Sequence, residues 1–276
     1  MTTALVDTDI VIYRCSAASE LDGKEVALLR TEEMLRQILN DTQADTYRCF
    51  LTGADNWRKK LYSEYKANRT KPKPTYLGDC RQYVLDNWNA EVDEDLEADD
   101  LLGINQSEDT IICSIDKDLR QIPGKHYDFI RKEFFEVGHY TGQFLFWQQM
   151  ICGDRSDNIP GFDGKMRASV PKFVEALMDS MIDFESEIYI LYEDKLQFLI
   201  NANLLRIWKN KGEVWIPEVI KKNLSLLQEM EPRFESTLRI LEEIGQLMGP
   251  IGTENGGKSV LGRSTDGGEP IEPPAA

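Results

Sequence analysis

Nine carboxylates at five separate places could do chemistry together: Asp7, Asp55, Glu97 with Asp99 and Asp100, Asp116 with Asp118, and Asp154 with Asp157. In Leu96-Glu97-Ala98-Asp99-Asp100-Leu101-Leu102, three acids fall in four residues before an apolar pair. At the start of a helix, Glu97 and Asp100 share a face at i,i+3, with Asp99 beside them. Carboxylates that close raise one another's pKa. A helix N-terminus relieves part of the repulsion through its dipole, and a divalent cation relieves more. Any one acid after a strand is as readily a turn former or a cap. Five stations at expected element ends point instead to one metal site. Oxygen donors without thiolate or imidazole suit Mg²⁺ or Mn²⁺. One such ion needs few of these acids. Two ions, about 3.5–4 Å apart, are therefore expected, a pair suited to phosphodiester hydrolysis.

From Trp57 to Lys73 the texture changes. Arg58, Lys59, Lys60, Lys66, Arg69, Lys71 and Lys73 are interleaved with Trp57, Tyr62 and Tyr65, and Glu64 is the only acid. Charge runs are commonly solvated faces, yet cations spaced among aromatics also suit single-stranded backbone and stacked bases. The net charge of −16 taken alone argues against nucleic acid. Setting the nine site acids aside more than halves that imbalance, and the local basic stretch matters more than the total.

These side chains need a scaffold. Ala4-Leu5-Val6 before Asp7, Thr46–Leu51 before Gly53 and Asp55, and Thr110–Ile115 before Asp116 read as strands with acids at their carboxyl ends. Ile10–Tyr13 reads as helix or as continued strand. Helices are expected over Glu25–Asn40, Asp79–Trp88, Thr141–Cys152 and about Pro171–Met181, and one or two strands over His126–Val137. Such alternation implies a mainly parallel sheet whose carboxyl edge takes the ligand. An α/β domain over 1–145, a helical region over 146–248 and a glycine- and proline-rich disordered tail over 249–276 follow.

At 276 residues and 41% hydrophobic the chain suits one large or two small soluble domains. No apolar run nears the ~20 residues of a membrane span. The first residues lack a secretory signal's features. Five widely spaced cysteines without Cys-x-x-Cys argue for a reducing cytoplasm and against disulfides or zinc. His126 and His139 fit no ligand pattern and read as structural.

Asp7, Asp55, Tyr65-Lys66-Ala67-Asn68-Arg69, Glu97-Ala98-Asp99-Asp100, Asp116-Lys117-Asp118 and Gly153-Asp154-x-x-Asp157-Asn158-Ile159-Pro160-Gly161, in this order, resemble the flap-endonuclease superfamily of 5′-nucleases. Asn56-Trp57-Arg58-Lys59 and the Tyr-Lys-Ala-Asn-Arg wording resemble most its phage-encoded 5′-3′ exonucleases. The resemblance runs from about Leu5 to Leu177, and more loosely to about Trp215. It implies a PIN-like α/β domain, a helical arch at about 56–75, and a helix–three-turn–helix at about 150–180 that holds duplex DNA.

It also implies roles. Asp7, Asp55, Glu97, Asp99 and Asp116 would serve a first Mg²⁺ or Mn²⁺, and Asp118, Asp154 and Asp157 a second. Asp116 would lie near both, with Asp100 in support. Lys66 and Arg69 would polarise the scissile phosphate, and Tyr65 would stack on a base. Arg58, Lys59 and Lys60, with Lys165, Arg167 and Lys172, would contact DNA. The implied substrate is DNA with a free 5′ end or 5′ flap, or an RNA/DNA hybrid. The implied protein is a monomer in the cytoplasm, the host cell's if phage-encoded. The Gly-x-x-Gly-x-Gly of the three-turn element, often joined to a K⁺ site, here has Met166 after Gly161 and Gly164.

Two rival readings stay open. Asp7-Thr8-Asp9-Ile10-Val11 fits the D-x-D-x-[TV] loop of haloacid-dehalogenase-type phosphatases, with Asp7 as nucleophile and Asp9 as acid/base. That leaves the other acidic stations and the basic stretch unused. A DNA-binding module without catalysis would need a broken acid set, and every station is present.

Overall fold

The computed structural model describes residues 1–172, 183–231 and 233–248. The helix expected over Pro171–Met181 and the tail from 249 lie, almost entirely for the helix and wholly for the tail, outside the described residues.

Strand β1 (Thr3–Asp7) lies at the middle of a six-stranded sheet. On one side it pairs in parallel with β2 (Thr46–Thr52), which pairs with β3 (Glu91–Asp93). On the other it pairs in parallel with β4 (Thr110–Cys113), followed by β5 (Gly124–Asp128). The edge strand β6 (Glu133–Val137) runs antiparallel to β5, so His126–Val137 forms two strands. The order β3-β2-β1-β4-β5-β6 reverses direction at β1. The crevice beyond the carboxyl ends of β1 and β4 is therefore where such a sheet receives ligands.

Side chains alternate across the strands, and both faces are covered, which explains the near-continuous apolar runs. Ala4, Val6, Cys49, Leu51, Ile111 and Cys113 face α1 (Thr8–Ala18), α2 (Lys24–Thr42) and α4 (Leu77–Trp88), through Ile12, Leu35, Ile38, Val84 and Trp88. Leu5, Phe50 and Ile112 face Ala98 and Leu102 of α5 (Ala98–Asn105). A third core lies among the later helices. It joins Phe146, Met150 and Ile151 of α6 (His139–Cys152) to α7 (Phe184–Leu191), α8 (Lys195–Leu205) and α9 (Arg233–Met248). Trp57 and Leu61 of the five-residue α3 (Trp57–Leu61), and Tyr65 beyond it, belong to that core.

The expected helical arch over 56–75 is thus only α3; turns continue to Asn68 and irregular backbone follows. Lys66 takes a left-handed conformation, φ 58°, so it and Arg69 share a turn rather than a helix face. All five cysteines are free thiols. Among the described residues no helix is long and apolar enough to cross a membrane.

Candidate active site

Asp7 ends β1 and caps α1, accepting from the Ile10 amide at 3.4 Å. Its other oxygen accepts from Ser114 Oγ at 2.7 Å, and that hydroxyl accepts from the Asp116 amide at 2.9 Å. Ser114 thus ties the ends of β1 and β4 together. It lies two residues before Asp116, on the same side of an extended chain, a signal present in the sequence. Asp116 Oδ1 accepts from the Asp118 amide at 2.9 Å, opening the 3₁₀ turn Asp118–Gln121.

Glu97 caps α5 in a capping box with Asp100, which accounts for the acids before Leu101-Leu102. The neighbours then part. Glu97 and Asp99 line a small cleft, about 30 Å³, with Asp118, Asp154 and Asp157. Asp100 is turned inward, fully buried, and gripped by Arg58: Nη1 to Oδ2 is 2.5 Å and Nη2 to Oδ1 is 2.8 Å.

The last pair sits on a hairpin of β7 (Gly153–Asp154) and β8 (Ile159–Pro160). Gly153 has φ 70°, and a Cβ there would meet the Ile159 carbonyl at 2.2 Å, so only glycine fits. Asp154 Oδ1 accepts from the Ser156 amide at 2.6 Å and the Asp157 amide at 3.2 Å. The turn carrying Lys66 docks here. Lys66 N donates to the Asp157 carbonyl at 2.9 Å, Asn68 Nδ2 to the Arg155 carbonyl at 2.6 Å, and Asn158 Nδ2 to the Glu64 carbonyl at 2.9 Å.

Charge divides the acids into two sets. Burial pushes Asp7 up to about 7 against the Ser114 hydrogen bond, helped by Asp9 and Asp116. Burial likewise raises Asp118 to about 7, with Asp116 and Asp154 adding to it. Asp99 is raised by burial and by Asp7, Asp116 and Glu97. Glu97 goes the other way: burial works to raise it, but Lys66 and Arg58 outweigh burial and hold it at about 2. Lys66 hydrogen-bonds Glu97 and lies 3.6 Å from Asp157; Arg69 Nη2 is 2.6 Å from Asp157. Burial opposes the charge on Lys66, yet Glu97 and Asp157 raise its pKa. One set is neutralised from within the chain, and Asp7, Asp99 and Asp118 are not.

Among the described residues no three Asp, Glu, His or Cys side chains close around a single point tightly enough to hold an ion as they stand. The donor chemistry nevertheless fits a hard divalent cation. The donors are all oxygen, and the acids whose pKa values are raised are those a cation would return to the ionised state.

Asp55 follows β2; its amide bonds the Glu94 carbonyl at 2.7 Å, and its exposed carboxylate has no hydrogen bond or ion pair among the described residues. Three assignments are corrected. Asp100 is spent on Arg58. Arg58, only 2% exposed, is an internal tie and offers nothing to a DNA backbone. Tyr65 is 3% exposed; its hydroxyl donates to Glu97 at 2.8 Å and lies 3.0 Å from Asp157, so its ring is no stacking platform.

Lys59, Lys165 and Lys172 are exposed. Lys60 pairs with Asp95 at 2.7 Å, and Arg167 forms a two-pronged pair with Asp163. The Met166 carbonyl accepts from Arg155 Nε and Nη2, both at 3.2 Å, and the Lys165 carbonyl from the Gly161 amide at 2.8 Å. Asp9 accepts from the Thr52 amide at 2.8 Å and pairs with Arg81 at 3.6 Å, so it is not a free acid/base beside Asp7. His126 is buried, with Nε2 2.8 Å from the Ile122 carbonyl.

A mainly parallel α/β sheet with carboxylates gathered at the switch point of its carboxyl edge defines the class: a PIN-like α/β domain. The chain belongs to the 5'-3' exonuclease, N-terminal resolvase-like domain family, whose model matches residues 2–144. It is 33% identical over 128 residues to "Flap endonuclease Xni" of Shewanella frigidimarina, covering 40% of this chain and 50% of that protein. It is 32% identical over 144 residues to "DNA polymerase I" of Caldicellulosiruptor bescii, covering 43% of this chain and 17% of that one. The chain thus spans about half, or less, of the length of these curated relatives. A solved bacteriophage T5 D15 flap endonuclease, a pseudo-enzyme-product complex with DNA and metal ions, shares the fold. Its TM-score is 0.58 at 14% identity, over 88% of this chain and 100% of that one.

Proposed function

We propose that the chain is a divalent-metal-dependent nuclease that hydrolyses DNA phosphodiester bonds 5′ to 3′, from a free 5′ end or at a 5′ flap. The observation that carries this reading is the gathering of uncompensated acids, Asp7, Asp99 and Asp118, beside Asp116, Asp154 and Asp157, with Lys66 and Arg69 at the same cleft. The family and the names of its relatives support it. Asp7, Asp55, Glu97, Asp99 and Asp116 would hold one Mg²⁺ or Mn²⁺, directly or through water, and Asp118, Asp154 and Asp157 a second. Bound there, the ions would supply an activated water and neutralise charge at the leaving oxygen.

The chain's own residues do the rest. Ser114 holds Asp7 and the backbone at Asp116, keeping the two acids side by side at the ends of β1 and β4. Lys66 and Arg69, resting on Glu97 and Asp157, have only a short distance to move to a phosphate in the cleft, where their positive charge meets the charge that grows as the bond breaks. Lys59, Lys165 and Lys172 offer exposed charge to the rest of the strand.

The test is incubation with a 5′-labelled duplex, a 5′-flap substrate and p-nitrophenyl phosphate, with Mg²⁺, Mn²⁺, Ca²⁺ or EDTA. Short 5′ products with Mg²⁺ or Mn²⁺, little with Ca²⁺ and none with EDTA are expected. Cleavage in chelator, or nitrophenol release without cleavage, would refute the reading.

A further inference from the structure

Asp118 is fixed from behind by two glutamines. Gln149 Nε2, on α6, donates to Asp118 Oδ1 at 2.8 Å. Gln149 Oε1 accepts from Gln121 Nε2 at 2.6 Å, and Gln121 Nε2 also reaches the Leu205 carbonyl at 2.8 Å. Gln121 Oε1 faces the Ile207 amide at 3.4 Å. The network sets the amide orientations. Flipping Gln149 would point its oxygen at a carboxylate and its NH₂ at the NH₂ of Gln121. Gln121 is 5% exposed, so the three contacts of its amide leave little freedom.

Packing holds the chain of amides in place. A Cβ at Gly142 would lie 2.5 Å from the Gln121 carbonyl, so α6 touches the 3₁₀ turn at a point where only glycine fits. Seven residues, about two helical turns, separate Gly142 from Gln149. The contact at Gly142 therefore delivers Gln149 to Asp118, at the far end of the same turn. The far anchor, at Leu205 and Ile207, belongs to the segment whose 204 and 206 carbonyls Arg58 holds at 3.0 and 2.9 Å.

We infer that Gln149, relayed through Gln121, is a positioning residue for Asp118: it occupies Oδ1, orients the carboxylate, and leaves Oδ2 toward the cation. The inference rests on the nuclease reading above and deepens it. Outer partners of metal ligands carry about 10–100-fold in affinity or activity.

The experiment titrates Mn²⁺ onto the full chain by water-proton relaxation and, separately, follows flap cleavage against Mn²⁺ concentration. Gln149→Met keeps the length and removes the donor. It is expected to weaken Mn²⁺ binding about 10–100-fold and to raise the half-activating Mn²⁺ concentration alike. The rate at saturating Mn²⁺ should fall only a few-fold, with melting temperature in EDTA and DNA affinity in Ca²⁺ unchanged. Gln121→Met, which cuts the relay one step back, should move Mn²⁺ binding the same way by less, and it repeats the test if the first variant is unstable. Wild-type Mn²⁺ affinity in both variants, or a loss of metal binding only in step with melting temperature, would overturn the positioning role while leaving the nuclease reading standing. A wild-type chain that neither binds Mn²⁺ nor cleaves would overturn both.

Discussion

Arg58 and Asp100 decide between two accounts of the basic stretch, and the difference is measurable. Their side chains are 3% and 0% exposed. The guanidinium makes two bonds to Asp100, reaches Leu204 and Arg206 carbonyls, and stacks 4.6 Å from the Trp57 ring. Asp100 also accepts from the Trp208 amide at 3.1 Å. Burial works against the charge on Arg58, but Asp100 holds its pKa well above the ordinary arginine value. Removing one partner of such a pair leaves the other buried and uncompensated, at a cost of about 3–5 kcal/mol. For a protein of this size 1 kcal/mol moves the melting temperature by roughly 2–4 °C. Arg58→Ala or Asp100→Asn should therefore lower it by on the order of 10 °C. Arg58→Lys keeps the charge but cannot fork, so it should recover only part of the loss. The paired change Arg58→Met with Asp100→Leu removes both charges and should recover more than either single change. The assay is calorimetry or denaturant unfolding in EDTA, alongside DNA affinity in Ca²⁺. Wild-type stability in Arg58→Ala with weakened DNA binding would refute the argument and return Arg58 to the DNA surface.

Lys66→Ala should lower the single-turnover cleavage rate by about 10²–10³ at saturating enzyme and metal; a rate within a few-fold of wild type would make Lys66 a partner of Glu97 only. Asp157→Asn should lower cleavage steeply while DNA affinity in Ca²⁺ stays level or rises, because a negative charge is removed; a wild-type rate would make the Gly153 hairpin structural only. In EDTA, Asp7 and Asp118 titrate near 7 in the folded chain against an ordinary 3.8. Their contribution to stability is full below about 4 and is lost as pH rises toward about 7. Glu97, held at about 2, adds no slope there. The melting temperature in EDTA should fall between pH 5 and 7.5, less steeply in Asp118→Asn; parallel wild-type and variant curves would contradict the assigned shift.

The sheet was legible because its strands are buried on both faces. Val6, Phe50 and Ile112 had to be apolar whichever way they pointed, so continuous runs mark β1, β2 and β4. That Asp7 and Asp116 lie at the sheet's carboxyl edge was legible because an ionisable side chain at the end of such a run leaves the core there. The hairpin holding Asp154 and Asp157 was not legible: the resemblance implied a helix–three-turn–helix there, and the pairing of β7 with β8 that demands Gly153 came only with the structure.

Direction was not legible where residues of one charge crowd together. Glu97, Asp99 and Asp100 are three acids in four residues, and their spacing says which share a helical face without saying what that face meets. Burial of Arg58 decided it: a guanidinium in the core needs a carboxylate, and Asp100 is the one that turns inward. Likewise Arg58, Lys66 and Arg69 read as one basic stretch. Only folding separated an internal tie from two cations that rest on Glu97 and Asp157. Gln149 carried no signal, since a glutamine on a helix becomes specific only when Gly142 brings that helix against the turn of Asp118. Chain order and residue type determined which groups this protein can use. Close packing between segments far apart in sequence decided where each charge finds its partner, because a buried charge is stable only beside its opposite.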